Sequence, residues 1–263
     1  MSTKLWHVYF SINALAAREI PWEIGADLPS AEAGFIVPSV QEFQIGESSD
    51  GTRLRAAAAA WAAQSGDAEF VQVIELFIAE EQRHAAELAR FLSINGHGVA
   101  RSSPGDLAFR LLRHLTGGLE VSLTVLMTAE IIGFHYYKSL RQATGSRLLR
   151  AICDTFLRDE AAHLMLHAEQ LMRMRRRRSR AGLWATRWMS RTLMRGACMV
   201  VWMRHRRVLK GGRLSFRAFL RLCLARLPVG PCCSGRQPLR HADRGLDPLP
   251  GADSLDLRTL LHR

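Results

Sequence analysis

The chain has 263 residues, 48% of them hydrophobic, and a net charge of +12. That length suits one sizeable core with appendages, and its longest apolar run, GACMVVWM at 196–203, falls far short of the roughly 18 residues a membrane-spanning helix needs. The amino-terminal stretch lacks the basic-then-apolar order of a signal peptide, and the five cysteines form neither a CxxC pair nor a disulfide framework, so the expectation is a cytoplasmic protein with reduced thiols.

In chain order, residues 1–37 read as an extension carrying Trp6, Tyr9, Phe10, Pro21 and Trp22, with no chemistry assigned to it. From Pro38 the pattern turns helical. Helix one begins near PSVQEFQIGESSDG and runs into AAAAAWAA, although Gly46 and Gly51 weaken it. Helix two spans about 67–92 and stops at NGHG. Helix three follows the loop ARSSPGD and runs from LLRHLTGG to residue 143, with Gly117 and Gly118 as a break. Helix four starts near Ser146 and continues through QLMRM. Four long helices with little strand signal predict a four-helix bundle over 38–174. A basic helical appendage follows over 175–227, and 228–263, rich in Pro and Gly, reads as a disordered tail.

Helix two carries an anomaly. Ile74, Phe77, Ile78, Ala85, Leu88, Phe91 and Leu92 recur at helical spacing, and Glu81 and His84 fall inside that stripe. A buried carboxylate is costly unless it is paired, protonated or bound to metal. Helix four repeats the pattern: Leu149, Ile152, Cys153 and Phe156 lead to Glu160 and His163. Residues three apart share a helix face, so each Glu-x-x-His pair directs one carboxylate and one imidazole to a common point. Such mixed oxygen and nitrogen ligation suits iron(II) and manganese(II). A dinuclear site in a bundle takes one further carboxylate from each remaining helix. Glu47 aligns with Val40, Phe43 and Leu54, and Glu130 with Leu123, Leu126, Met127, Phe134 and Tyr137. Glu47 lies 34 residues before Glu81, and Glu130 lies 30 before Glu160, so each half reads as a helical hairpin. His135, His167, Tyr136 and Tyr137 lie nearby and read as packing residues, extra ligands, or proton or redox carriers.

With these two motifs and their upstream glutamates, residues 38–172 resemble the ferritin-like di-iron carboxylate superfamily, which includes rubrerythrins and acyl-carrier-protein desaturases. The resemblance implies a ferritin-like four-helix bundle holding two iron ions, with manganese in one or both positions as the variant. Glu47 and His84 would be terminal ligands of one ion, Glu130 and His163 of the other, with Glu81 and Glu160 bridging. It also implies an outer layer. Glu80 and Asp159 stand immediately before the bridging candidates, where an acid accepts a hydrogen bond from the opposite motif's histidine. EEQRH adds Arg83, whereas the second motif, DEAAH, lacks an arginine. The implied activity is an oxygen-activating oxidase or oxygenase working on an organic substrate with dioxygen and an external electron donor. The alternatives are an iron-handling ferroxidase or peroxide scavenger, and a metal-free bundle of interhelical ion pairs. A homodimer is compatible with the sequence.

The last third is electrostatically distinct. Residues 1–170 hold 14 Lys/Arg against 20 Asp/Glu, and residues 171–263 hold 22 against 4. The basic part shows no nucleic-acid motif. Its Trp184, Trp188, Trp202, Met189, Met194 and Met203 can cap the bundle, or residues 175–227 can lie on an anionic membrane surface or an acidic partner protein.

Overall fold

The amino-terminal segment is anchored rather than loose. In the computed structural model, which describes residues 2–16, 19–100 and 118–228, helix α1 (Thr3–Leu15) starts at Ser2, whose hydroxyl accepts the Leu5 amide. Trp6 and Phe10, one turn apart, are buried, and the Trp6 indole donates to Glu169, 2.9 Å away. The fold is all-α. A 3-10 turn (Trp22–Ile24) precedes α2 (Ser30–Glu47), α3 (Thr52–Ser65), α4 (Glu69–Ile94), α5 (Leu119–Ala143), α6 (Arg147–Arg175), α7 (Arg180–Gly211) and α8 (Phe216–Arg226), and no strand occurs among the described residues.

The first bundle helix differs from its sequence expectation. The predicted first helix is two helices. The first begins at Ser30 and carries Pro38 in its interior. Proline there forfeits one backbone hydrogen bond and crowds the preceding turn. Burial of Ile36, Val37 and Val40 around it offsets that cost, at about 1.5–3 kcal/mol for each fully buried side chain. The break falls at Gly51, with φ +66°; a Cβ there would lie 2.5 Å from the Ile78 side chain, so the turn into α3 requires glycine. Helix α5 begins at Leu119, and the expected earlier portion of helix three lies outside the described residues, as does the expected tail beyond Pro228.

Helices α5 and α6 form a hairpin whose connection is tightly bonded. Ser146 caps α6 by accepting the Leu149 amide at 2.9 Å, and Asp27 accepts the amides of Arg147 and Leu148 at the same positive helix end. Glu32 accepts from the Thr144 hydroxyl and the Gly145 amide. Helix α4 packs against α1, α2, α3 and α6 through Phe70, Val73, Ile74, Phe77, Leu88 and Phe91. Helix α7 runs along α5 and buries Met194, Cys198, Val201, Val208 and Leu209. Its end approaches α5 so closely that a Cβ on Gly211 would sit 2.6 Å from that of Ala143. At His205 the helix departs from helical dihedrals (φ −112°, ψ 15°), and the imidazole Nδ1 pairs with Ser39 Oγ at 2.8 Å, which also meets the Tyr136 hydroxyl at 2.8 Å. Cys153, Cys198 and Cys223 are free and buried. No described helix is long and apolar enough to cross a membrane.

Candidate metal centre

The four helices α2, α4, α5 and α6 bring Glu47, Glu81, His84, Glu130, Glu160 and His163 into one place. Ligand atoms of Glu81, Glu130, Glu160 and His163 all lie within 4.8 Å of one another, and those of Glu47, Glu81 and His84 form a second such group. Glu81 is common to both. Its Oε1 is 3.2 Å from His163 Nδ1 and 3.7 Å from His84 Nδ1. His163 Nδ1 is 3.5 Å from Glu130 and 3.9 Å from Glu160. Glu160 belongs to the first group alone.

Burial sets the electrostatics. Glu130 and Glu160 are buried, as are His84 and His163. Burial, then the charges of Glu130 and Glu47, push Glu81 well above the usual carboxylate range. Burial and then Glu130 do the same to Glu160. Glu130 goes the other way: burial opposes its ionisation, but the close approach of Glu160, His163 and His167 outweighs it. Burial disfavours a charged His163, yet Glu130 holds its imidazole above the ordinary value. Carboxylates this close cannot all ionise without a cation among them.

The unsatisfied atoms point to the same conclusion. Glu81 Oε1, His84 Nδ1, Glu160 Oε2 and both nitrogens of His163 are buried without a hydrogen-bond partner, and such orphans cost about 1–3 kcal/mol each. Arg83 does not neutralise them. It binds Asp159 at 2.9 Å and Glu80 at 3.1 Å, one layer out. The buried Glu/His groups can hold a metal ion, and their mixed oxygen and nitrogen donors suit divalent first-row ions.

Around this cluster the outer side chains are unequal. Asp159 faces His84 Nε2 at 3.1 Å, which fixes the ring with Nδ1 aimed at Glu81. Burial would raise the Asp159 carboxyl, but His84 and the neighbouring cations bring it down to about 2. Glu80 does not do the same for His163, whose Nε2 has no hydrogen-bond partner. Instead Glu80 accepts from Asn13 at 2.5 Å and from Arg83. His163 is held by rings: Phe10 stacks on it at 6.0 Å and Phe77 meets it edge-on at 4.8 Å. Phe156 stacks on His84 at 4.0 Å. His167 Nε2 reaches to 3.7 Å from Glu130, and the Tyr137 hydroxyl donates to Glu47 at 2.5 Å.

Several of these residues escaped the sequence reading. Asn13 spans Glu80 and Asp159 at 2.5 and 3.4 Å from a segment assigned no chemistry. Ser2 as a cap, followed by Trp6 and Phe10 at i,i+4 spacing, was the available signal that α1 exists; nothing local marks Asn13. A cavity of about 140 Å³ also adjoins the carboxylates. Glu47, Glu81, Glu130 and Glu160 form its polar side, Leu126, Ala129, Ile132 and Val201 its apolar wall, and Glu42, Arg204 and His205 a second polar edge. Gly133 opens it: a Cβ there would lie 4.0 Å from both Glu160 oxygens. An apolar cavity of roughly 150 Å³ accepts a molecule the size of benzene. No protein-family model, no curated protein and no solved structure matches the chain.

Proposed function

We propose that this chain is a ferritin-like di-iron carboxylate protein that acts as an oxygen-activating oxidase or oxygenase on a small organic substrate, with an external electron donor. The observation that carries the reading is the convergence of Glu47, Glu81, His84, Glu130, Glu160 and His163, with Glu81 common to both ligand groups, beside a largely apolar cavity. Glu47, Glu81 and His84 would hold one ion. Glu81, Glu130, Glu160 and His163 would hold the other. Manganese in one or both positions fits the same donors. When bound, the metals supply Lewis acidity and the redox equivalents for dioxygen chemistry.

The chain's own residues prepare the site. Asp159 orients His84 through Nε2. Arg83 and Asn13 keep Asp159 and Glu80 in place. Tyr137 restrains Glu47 through its hydroxyl. Leu126, Ala129, Ile132 and Val201 give the cavity an apolar wall against which a small organic substrate can pack. An iron-handling ferroxidase would use the same ligands, but it has no use for a substrate-sized apolar cavity, and the cavity favours the oxygenase. A metal-free bundle would leave the buried nitrogens of His84 and His163 and the oxygens of Glu81 and Glu160 unsatisfied.

Anaerobic loading with ferrous iron, followed by elemental analysis and oxygen uptake, tests the proposal. The expected result is two irons per chain and oxygen consumption that small aromatic or aliphatic molecules accelerate. A stoichiometry below one, or one unchanged by the double substitution Glu81→Ala and Glu160→Ala, sinks the metal reading. Oxygen uptake insensitive to every small apolar molecule supports the ferroxidase instead.

A further inference from the structure

The outward face of α7 lies away from the metal cluster and has its own logic. Inward, the helix buries Met194, Cys198, Val201 and Val208. Outward, Trp184 and Trp188 stand one turn apart at 68% and 61% exposure, and Met199 and Met203, also one turn apart, at 45% and 61%. Arg187, Arg191, Arg195 and Arg206 are exposed among them. Single exposed apolar residues are ordinary, but two tryptophans and two methionines interleaved with arginines on one helix face are not.

We propose that this face docks on an anionic lipid bilayer. An interfacial helix needs large amphipathic or apolar side chains to enter the headgroup layer and cations to meet lipid phosphates on the same face. Part of the charge is uncommitted. Arg175 and Arg178 pair with Glu120, and Arg204 pairs with Glu42, yet Arg187, Arg191, Arg195 and Arg206 have no acidic partner among the described residues. Between 180 and 226 the sequence has 12 Lys/Arg and no Asp or Glu, so the face offers an acidic surface nothing of its own sign to repel. A duplex nucleic acid would supply phosphates but no apolar layer for Trp188 and Met203.

The shape beside this face agrees. A cavity of about 270 Å³ has Trp188, Arg187 and Arg191 at its rim and Met127, Leu171 and Leu224 in its lining. Cations and an indole above a floor where the buried Arg175 and Thr124 sit among apolar side chains match the junction of a lipid headgroup with its acyl chain. The inference stands independently of the metal reading.

The test uses the full chain and vesicles of phosphatidylcholine alone or mixed with phosphatidylglycerol, read by co-sedimentation and tryptophan emission. The protein should partition onto the anionic vesicles only, with a blue-shifted emission. Binding should fall steeply toward 1 M salt, where the screening length is about 3 Å. The pair Arg187→Gln and Arg191→Gln should lower partitioning roughly 25-fold, since each basic residue near an anionic surface is worth about 1 kcal/mol and 1.4 kcal/mol is tenfold. The pair Trp184→Ala and Trp188→Ala should weaken binding and abolish the blue shift. All four side chains are exposed, so both variants should keep the helical circular dichroism of the parent; should the tryptophan pair lose it, Met203→Gln reads the same insertion. No partitioning overturns the proposal, as does equal binding at low and high salt. A blue shift that survives the tryptophan pair shows that the face does not enter the lipid layer and also overturns it. Tighter binding to duplex DNA than to the anionic vesicles at the same salt assigns the face to nucleic acid. Self-association that the tryptophan pair abolishes, without vesicle binding, assigns it to a second copy of the chain.

Discussion

The interior shared by α4, α5 and α6 and the outer face of α7 each concentrate charge of one sign, and burial makes their consequences opposite. Inside, Glu81, Glu130 and Glu160 share one pocket with His163, and burial, reinforced by their mutual repulsion, drives Glu81 and Glu160 above the carboxylate range. Outside, Arg187, Arg191, Arg195 and Arg206 face solvent, where like charges are screened and cost little. A run of basic residues is therefore cheap and leaves a surface free for a partner. A few buried acids are expensive and call for a cation. Substitutions inside should accordingly move stability and metal binding together, and substitutions outside should move neither.

The largest expected effect comes from Glu160→Leu. Removing one buried carboxylate from the cluster should destroy one metal position. It should also stabilise the metal-free protein by about 1–4 kcal/mol, as replacement of buried ionic groups by apolar ones often does. At about 2–4 °C per kcal/mol for a domain of this size, the melting temperature without metal should rise while the increase on adding ferrous iron shrinks. Thermal melts with and without metal separate the two. A lower melting temperature without metal would mean that the carboxylates are paired by the protein itself, and the contrast between interior and surface would break.

Asp159→Asn comes next. It keeps the side chain's shape and its contact with Asn13 but removes the charge facing His84 and Arg83. Metal affinity measured by chelator competition should fall 10- to 100-fold, the usual range for outer partners of a ligating histidine. Glu80→Gln should do less, because Glu80 accepts from Asn13 and Arg83 and leaves His163 Nε2 unpartnered. Equal losses from the two variants would show that the two histidines are supported alike once metal is bound.

How much of this was legible in the sequence depends on how local each signal is. The two Glu-x-x-His pairs could be read because a polar pair inside a 3.6-residue apolar stripe is visible within one helix. Glu47 and Glu130 needed only a spacing along their hairpins. The start of α2 was misread at Pro38 because proline usually opens or ends a helix, and only the tertiary burial of Ile36, Val37 and Val40 carries the helix through it. Asn13 could not be read at all: its partners are 67 and 146 residues away, and no local pattern encodes such a contact. The sequence of α7 showed the mixture of Trp, Met and Arg, but only packing sorted it, sending Met194 inward and Met203 outward.

Gly133 tests the cavity side of the interior. Glycine within a helix costs roughly 1 kcal/mol relative to alanine, and a Cβ at Gly133 would make ordinary contacts of 3.8 Å with Tyr137 and 4.0 Å with Glu160. Gly133→Ala should therefore stabilise the protein by up to about 1 kcal/mol. Gly133→Val should leave iron stoichiometry at the parent value and reduce the stimulation of oxygen uptake by small apolar molecules. If stimulation persists undiminished with valine, the cavity beside Glu160 is not where such a molecule sits.

A smaller effect is expected where an acid of α2 meets two bases of α7. Glu42 on α2 receives a bidentate hydrogen bond from Arg204 on α7, and His205 Nε2 lies 3.1 Å from it. Burial alone would raise its carboxyl, but the hydrogen bonds from Arg204 and His205, with their charges, bring it from 4.5 down to about 2. A folded-state value below the unfolded one means that the pair contributes stability above pH 4.5, and that this contribution is lost as pH falls from 4.5 toward 2. Glu42→Gln removes the titrating group. Urea midpoints should place the variant about 1 kcal/mol below the parent at neutral pH, a partly exposed pair being worth little more, and the gap should close as pH falls through that window. The outer pair Arg187→Gln and Arg191→Gln should shift stability by no more than about 0.5 kcal/mol at any pH. A gap for Glu42→Gln that stays constant, or widens, as the solution is acidified would mean that Glu42 holds α7 by packing rather than by charge. The inner edge of α7 would then differ from its outer face in burial alone.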